Sequence, residues 1–301
     1  MAKSNQAVNV SAATQVAAMK GPFNVRPIEL DPFRAGSPYG KHAILDLKGL
    51  YTYASIEIIT DLPVERLGRI SFERNNKEII GIDAGYFHKR DRFLKFPVQN
   101  KGVSRASLTR LIIPFASEEL RTLQGIRRGE YVHQVGETLI LKIQVKAKET
   151  ADPDFPQFKA NARIVDYQPV RFFQQRYTET SINHTVVGEQ KHDFPLVGAN
   201  VRLRSMLLDT ENNDITKVSI KRDNEIIWES SVEDIKYNQK RYGDRLPPGQ
   251  GVFIDFTLEG FANEQAFIPF AQASLKLVLE KRTTGVVDIK HDFIDVEQLP
   301  A

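Results

Sequence analysis

The chain of 301 residues contains no cysteine. Disulfides, thiolate metal sites and a cysteine nucleophile are thereby excluded. Long apolar runs are also missing. The longest, such as Leu111-Ile112-Ile113-Pro114-Phe115-Ala116, are strand-sized and far from the ~20 residues a membrane helix requires. The first twenty residues lack an apolar core segment, so synthesis and assembly in a cytosol is the expectation. On that expectation the sequons Asn9-Val10-Ser11 and Asn183-His184-Thr185 carry no glycan. An excess of one charge is lacking too. Against 38 acidic residues stand 41 basic ones, leaving +3, too balanced to mark specific nucleic-acid recognition.

The usual catalytic signatures are absent as well. There is no glycine-rich phosphate loop, no HExxH and no GxSxG elbow. The six histidines are scattered, and the nearest pair, His184 and His192, has no common zinc spacing. One stretch opens like a calcium loop, Asp209-Thr210-Glu211-Asn212-Asn213-Asp214. Its sixth position is Asp214 where the pattern needs glycine, and its twelfth is Ile220 where it needs glutamate. Asp209, Glu211 and Asn213 are therefore the calcium candidates, with Asp152 and Asp154 as equal alternatives. The plainer reading of both stretches is a solvated turn. No catalytic or cofactor-binding residue is assigned.

What is present is a repeat. Arg69-Ile70-Ser71-Phe72-Glu73-Arg74-Asn75-Asn76-Lys77-Glu78-Ile79-Ile80 returns without a gap as Lys217-Val218-Ser219-Ile220-Lys221-Arg222-Asp223-Asn224-Glu225-Ile226-Ile227-Trp228. The spacing is about half the chain, which points to two copies of one domain. Apolar and polar residues alternate in both copies, the period of a strand with one buried face. Asn75-Asn76 and Asp223-Asn224 then fall where a two-residue hairpin turn needs positive φ. A short helix is expected after each hairpin. In the second copy Ser230 and Glu233 form an expected capping box and Gly243 a stop. In the first, Asp83 is placed to cap the turn carrying Tyr86 and Phe87.

Further echoes come in the same order. Tyr53–Ile59 matches Val201–Leu207 at the same offset, although the buried face shifts within the pair. Asp46-Leu47 precedes one and Asp193-Phe194 the other. Leu111–Phe115 parallels Val252–Phe256, and Leu139–Val145 parallels Leu275–Leu279 at an offset of 136. Short strands with spaced turns, repeated twice, predict an all-β protein of two tandem eight-stranded jelly-roll sandwiches with short helices in the connecting loops. The expected division is an extended N-terminal arm over 1–42, a first jelly roll over 43–166 and a second over 167–301. The first twenty residues read as an arm ordered only against a partner, with a helix through Ala12–Met19. Ser117–Leu123 reads as a short loop helix, and Arg121–Arg128 as a charged rim facing a neighbouring subunit.

The two hairpins and the segments just after them resemble the major capsid proteins of tailless icosahedral phages of the corticovirus type, and related prophage proteins. The carrying stretches are Leu67–Ile79 in the first half, and Ile215–Glu229 with Gln239-Lys240-Arg241-Tyr242-Gly243 in the second. The likeness covers about residues 45–295. Asn75-Asn76 stands where the family's turn more often contains glycine. The resemblance implies a double jelly-roll structural protein of the virion, not an enzyme. Three such subunits make a pseudo-hexagonal capsomer that tiles an icosahedral shell. Implied partners are the chain itself, neighbouring capsomers, a penton protein, and an internal viral membrane met through the N-terminal arm. The implied place is the virion capsid after synthesis in a bacterial cytoplasm.

Two other classes have a reading of their own. A tandem jelly-roll glycan-processing hydrolase, amidase-like, needs acidic residues lining a cleft between the domains. A carbohydrate-binding β-sandwich needs exposed aromatics on one face. Trp228 is the only tryptophan, and with Tyr51, Tyr53 and Phe87 it is expected in the core.

Overall fold

A computed structural model of the chain describes residues 25–34, 36, 38–103, 106–117, 129–165, 170–258 and 267–297. The expected Ala12–Met19 helix, the loop helix beyond Ser117, Arg121–Arg128 and the Asp166–Pro169 boundary lie outside these residues.

Alternating sequences become strands with one buried side. Leu139–Val145, for instance, buries Leu139, Leu141, Ile143 and Val145 and turns the residues between them outward. The first half carries β1 (Arg26–Glu29), β2 (His42–Leu47), β3 (Thr52–Thr60), β4 (Leu67–Arg74), β5 (Lys77–Asp83), β6 (Thr109–Pro114), the two-residue β7 (Tyr131–Val132), β8 (Leu139–Val145) and β9 (Phe158–Val165). The second carries β10 (Phe173–His184), β11 (Gly188–Asp193), β12 (Val201–Asp209), β13 (Ile215–Arg222), β14 (Glu225–Ser231), β15 (Val252–Asp255), β16 (Leu275–Lys281) and β17 (Gly285–Val296). Helix α1 (Gly85–Phe93) follows β5, and helix α2 (Val232–Gly243) follows β14.

The two halves pair their strands in the same way. The first packs sheet β1-β9-β3-β6 against β2-β8-β4-β5; the second packs β10-β17-β12-β15 against β11-β16-β13-β14. In each, the first strand lies beside the last and the second beside the next to last, which is the jelly-roll winding. The two sandwiches are joined by one parallel contact. Tyr177 and Thr178 of β10 pair with Ile80 and Gly81 of β5. Sheet β15-β12-β17-β10 thus runs on into β5-β4-β8-β2 as eight strands.

Both hairpin turns adopt the backbone that their sequences call for. Asn75 and Asn76 have φ of 49° and 63°, Asp223 and Asn224 of 49° and 73°, so both central residues of each turn are left-handed. Each hairpin also carries a register shift one residue past its aromatic or aliphatic inward residue, at Phe72/Glu73 and Ile220/Lys221. Asp83 accepts the Gly85 N–H at 2.9 Å, at the start of α1.

Four expectations are corrected. The arm does not extend to residue 42, because β1 pairs with β9 from Arg26 opposite Ile164 to Glu29 opposite Asn161. It is the first strand of the first jelly roll. Tyr53 is not equivalent to Val201. Both third strands carry a bulge, at Tyr53/Ser55 and Leu203/Ser205, and matching the bulges sets the offset there to 150. That removes the apparent change of face. The α2 cap sits one residue later than expected: Ser231 Oγ accepts the Asp234 N–H at 3.1 Å. The left-handed residue ending α2 is Asp244 (φ 51°), not Gly243. Gly243 instead allows close packing, since a Cβ there would lie 2.3 Å from Leu258.

Each sandwich has its own core. The first contains Leu45, Ile56, Phe72, Phe115, Tyr131 and Leu141; the second Leu203, Met206, Val218, Ile220, Phe256 and Leu277. Phe72 meets Tyr131 edge-on with centroids 5.0 Å apart. Burying each such side chain contributes about 1.5–3 kcal/mol. Tyr177 and Leu207 of the second half and Phe253 of β15 belong to the first core, which therefore crosses the junction.

Candidate functional site

The most elaborate chemistry lies at the seam between the sandwiches. Helix α1 leaves β5 and lies on the outer face of sheet β15-β12-β17-β10. Tyr86 and Phe87 meet Tyr177 with centroids 6.0 and 5.2 Å apart, and Phe93 stacks on Phe253 at 4.4 Å. Tyr177 donates its hydroxyl to the Pro114 carbonyl at 2.8 Å. Burial pushes the Tyr86 and Tyr177 hydroxyls well above the usual tyrosine range, so both are neutral donors or acceptors here.

Charges are buried along the same seam, and each has a partner. Arg90 Nε donates to Asp292 at 3.3 Å, with both side chains only 4% exposed. Gln175 Nε2 donates to the other oxygen of Asp292 at 2.7 Å, and Arg204 donates to Ser117 at 2.9 Å. Burial lowers the Arg204 pKa, but Asp292 and Asp255 oppose that shift. A second cluster closes the far end. Arg171 donates to Glu137 at 2.8 Å, to Glu297 at 2.9 Å and to the Val132 carbonyl at 2.6 Å. Arg74 reaches Glu297 at 2.8 Å. Burial works against the Glu137 carboxylate, yet hydrogen bonds from Arg171 and the Gln134 N–H hold its pKa below the usual range. Removing one partner from such a buried pair costs about 3–5 kcal/mol. The clusters therefore hold the two sandwiches in one relative orientation.

The edge strands join by side chain as well as by backbone. Arg176 Nε of β10 donates to the Ile79 carbonyl at 3.3 Å, and Glu179 accepts the Asp83 N–H at 3.2 Å. Lys290 bridges Glu179 and Asp209, each at 3.3 Å, and Lys89 of α1 also reaches Asp209.

This geometry bears on the expected site residues. Asp209 is held by two lysines. Asn213 uses both ends of its amide, donating to the Gly249 carbonyl at 2.9 Å and accepting the Gly251 N–H at 3.1 Å. Glu211 is exposed on the rim of a cleft of about 380 Å3 that Asp209, Asp214 and Lys281 also line. Asp152 pairs with Arg66 at 2.7 Å, and Asp154 with Lys148. Among the described residues no group of three or more His, Asp or Glu side chains is gathered to hold a metal ion. His184 and His192 do come together, Nδ1 to Nε2 at 3.2 Å, and burial lowers both pKa values.

Among the described residues the seam is closely packed beside α1. The space beside Arg90, Phe93, Arg204 and Asp255 is about 20 Å3, room for about one water. Its carboxylates are ion-paired with arginines. Tyr53 and Phe87 lie in the core as expected. Trp228 is half-buried on the edge strand β14 and packs against the second core from its margin. Arg90, Arg171 and Asp292 were missed from sequence. Arg90 and Asp292 are 202 positions apart, and no local pattern announces them.

The N-terminal domain of viral coat protein P2 matches residues 27–165, and the C-terminal domain of the same coat protein matches residues 174–297. Among solved structures, the major capsid protein P2 of bacteriophage PM2 is similar with a TM-score of 0.76 and 14% identity, over 91% of this chain and 98% of that one. The major capsid protein of Sulfolobus turreted icosahedral virus gives 0.69 at 10% identity, over 91% and 97%. The capsid of the virus PBCV-1 gives 0.63 at 9%, over 92% and 96%. Among curated proteins, sequence comparison finds no match.

Proposed function

The chain belongs to the viral coat protein P2 family, and from that premise we propose that three copies close into a pseudo-hexagonal tile of an icosahedral shell. As a member it is a major capsid protein with a double jelly-roll fold, a structural protein of the virion. Its work is to present the same outline six times with three chains. The observation that supports the tile is the parallel join of β5 to β10, by which one sandwich continues into a second of the same winding. Repetition of that join between chains turns threefold symmetry into a nearly sixfold outline.

The partners in this reading are other tiles, a penton protein at the vertices, and a membrane beneath the shell met through the N-terminal segment. Synthesis takes place in the host cytoplasm. Light scattering on the purified chain tests the first step. A mass three times the 34.2 kDa of one chain is expected at micromolar concentration. A monomer at every concentration reached overturns the proposal.

A further inference from the structure

Each sandwich has a fifth strand followed by a helix, and each has a first strand at the edge of the opposite sheet. Within the chain only one of the two possible joins is made. The fifth strand and helix of the first sandwich, β5 and α1, cover the first strand and outer sheet face of the second. The fifth strand and helix of the second, β14 and α2, rest on their own sandwich, where Gln239 donates to the Phe253 carbonyl at 2.7 Å, and among the described residues they meet no first-strand edge. The first strand of the first, β1, is likewise an edge.

The uncovered pieces match the covered ones residue for residue. Set against their partner strands, Arg26 to Glu29 run opposite Ile164 to Asn161, as Arg176 to Glu179 run opposite Phe293 to Lys290. The bulges in β3 and β12 lock these registers together. Arg26 thus stands where Arg176 stands, and Glu29 where Glu179 stands. Those are the two side chains of β10 that reach the backbone of β5. On the other side, Ile227 and Ser231 of β14 take the places of Ile79 and Asp83.

The helices correspond in the same way, and the contact positions change together. Lys89 of α1 reaches Asp209. The residue in the place of Lys89 is Tyr237, and the residue in the place of Asp209 is Ile59, so an ion pair is replaced at both ends by apolar groups. Phe93 stacks on Phe253. Their counterparts are Arg241 and Ile112, a guanidinium stem and an aliphatic side chain, with Tyr242 beside them. Tyr237 is 57% exposed, Tyr242 71%, and Ile112 36%. Arg241 lies between the two tyrosines, donating to the Tyr237 hydroxyl at 3.0 Å and sitting 5.5 Å from the Tyr242 ring centre. The sheet face that α2 would cover is a shallow groove of about 490 Å3 whose open surface is mainly apolar, with Pro27, Ile28 and Ile112 in its lining, and Glu29, Glu57 and Arg163 line it too. Exposed aromatics on one sandwich and an unfilled groove at the equivalent place on the other are the two halves of a contact.

We infer that α2 and β14 of one chain dock on the β1 edge and the β1-β9-β3-β6 outer face of a second copy, as α1 and β5 dock on the second sandwich within a chain. This rests on the coat-protein tile proposed above and names its subunit contact. In that contact Arg26 and Glu29 of one copy take the Ile227 carbonyl and Ser231 N–H of the other, and Tyr237, Arg241 and Tyr242 fill the groove over Ile59 and Ile112. The contact is head to tail, so its two faces differ.

The chain has no native cysteine, so a Cys pair reports one contact. The variant Arg241→Cys/Ile112→Cys is oxidised with diamide, which takes the two hydrogens and leaves the disulfide. Covalent trimers on a non-reducing gel are expected, and each single Cys variant leaves monomers. A second measurement uses exposed positions that leave the fold intact. Tyr237→Glu/Tyr242→Glu breaks one face and Ile112→Glu the other. Each alone should dissociate at about thirtyfold or more higher concentration than the parent chain. An equimolar mixture of the two should stop at dimers, because one good contact remains and neither outer face can propagate. A parent trimer that forms no 241–112 disulfide and tolerates both face variants overturns this contact and leaves the tile standing. A parent chain that is only monomeric overturns both.

Discussion

Ile79 and Ile80 are 2% and 0% exposed, whereas Ile227 and Trp228, at the same places in the other sandwich, are only half-buried, and Ile226 beside them is 54% exposed. The turns ahead of both pairs have the same left-handed backbone, and the strands pair in the same order. Local structure is thus equal in the two halves, and burial is not. The difference comes from the junction: β5 has a neighbour in the other sandwich, and β14 has none there among the described residues. A repeated fold can therefore keep its winding while one copy spends its edge internally and the other presents that edge outward. The outward residues are apolar where a monomeric surface would carry charge, a mark of an interface and not of relaxed selection on a loop.

The most direct challenge to this contrast is to truncate the helix at equivalent sites. Phe93→Ala removes a buried ring from the seam and should cost about 3–5 kcal/mol in urea unfolding. Arg241→Ala at the equivalent site should stay within about 0.5 kcal/mol in the dissociated chain. Equal losses would mean that the two helices are covered alike.

Acid should separate the sandwiches next. Burial pushes His291 down to about 4 from an ordinary 6.5, and His184 and His192 of the same sandwich are lowered too, also by burial. In the first sandwich burial lowers His88. The unfolded chain binds a proton at His291 below about pH 6.5, and the folded chain resists until about pH 4. Stability is therefore full above that window and falls as pH drops through it, by about 3 kcal/mol for His291 alone. Urea titrations at pH 7.5 and 4 should show the second sandwich losing more, and His291→Leu should remove much of the difference. A pH-independent midpoint would show that His291 takes up its proton as readily in the folded chain as in the unfolded one.

The hairpins should respond alike if they are copies. Asn76→Val and Asn224→Val each place a β-branched residue at positive φ, at a cost of about 1–2 kcal/mol. The two losses should agree within about 0.5 kcal/mol. The smallest effect is expected from removing divalent ions. Lysines and backbone groups already occupy Asp209, Asn213 and Asp214, so excess EDTA should leave both the oligomer and the melting temperature unchanged. A drop of several degrees would restore the 209–214 loop as an ion site.

Much of the fold was legible in the chain because it is written locally and twice. Asn75-Asn76 and Asp223-Asn224 state their turn through backbone sterics alone. Leu139–Val145 states its buried face by alternation. Strand β1 was not legible: it has four residues, includes Pro27, and shows no alternation. Only pairing with β9 makes it a strand. The bulges at Ala54 and Arg204 hid the true register of the third strands, because one extra residue shifts every side chain after it to the other face. The capping box slipped by one residue for a similar reason, since Ser230 and Ser231 are both competent caps and only the end of β14 selects between them.

Turn sterics and period-two alternation act over a few residues and are the same in either copy, so the amino-acid order was enough to specify two like β-sandwiches. It also carried enough likeness to identify a coat-protein family. Which copy is covered and which is left facing outward is settled only when the sandwiches pack. Arg90 meets Asp292, and β5 meets β10, only after both have formed. Such long-range pairing depends on the packing of whole sheets, which no short stretch of chain encodes.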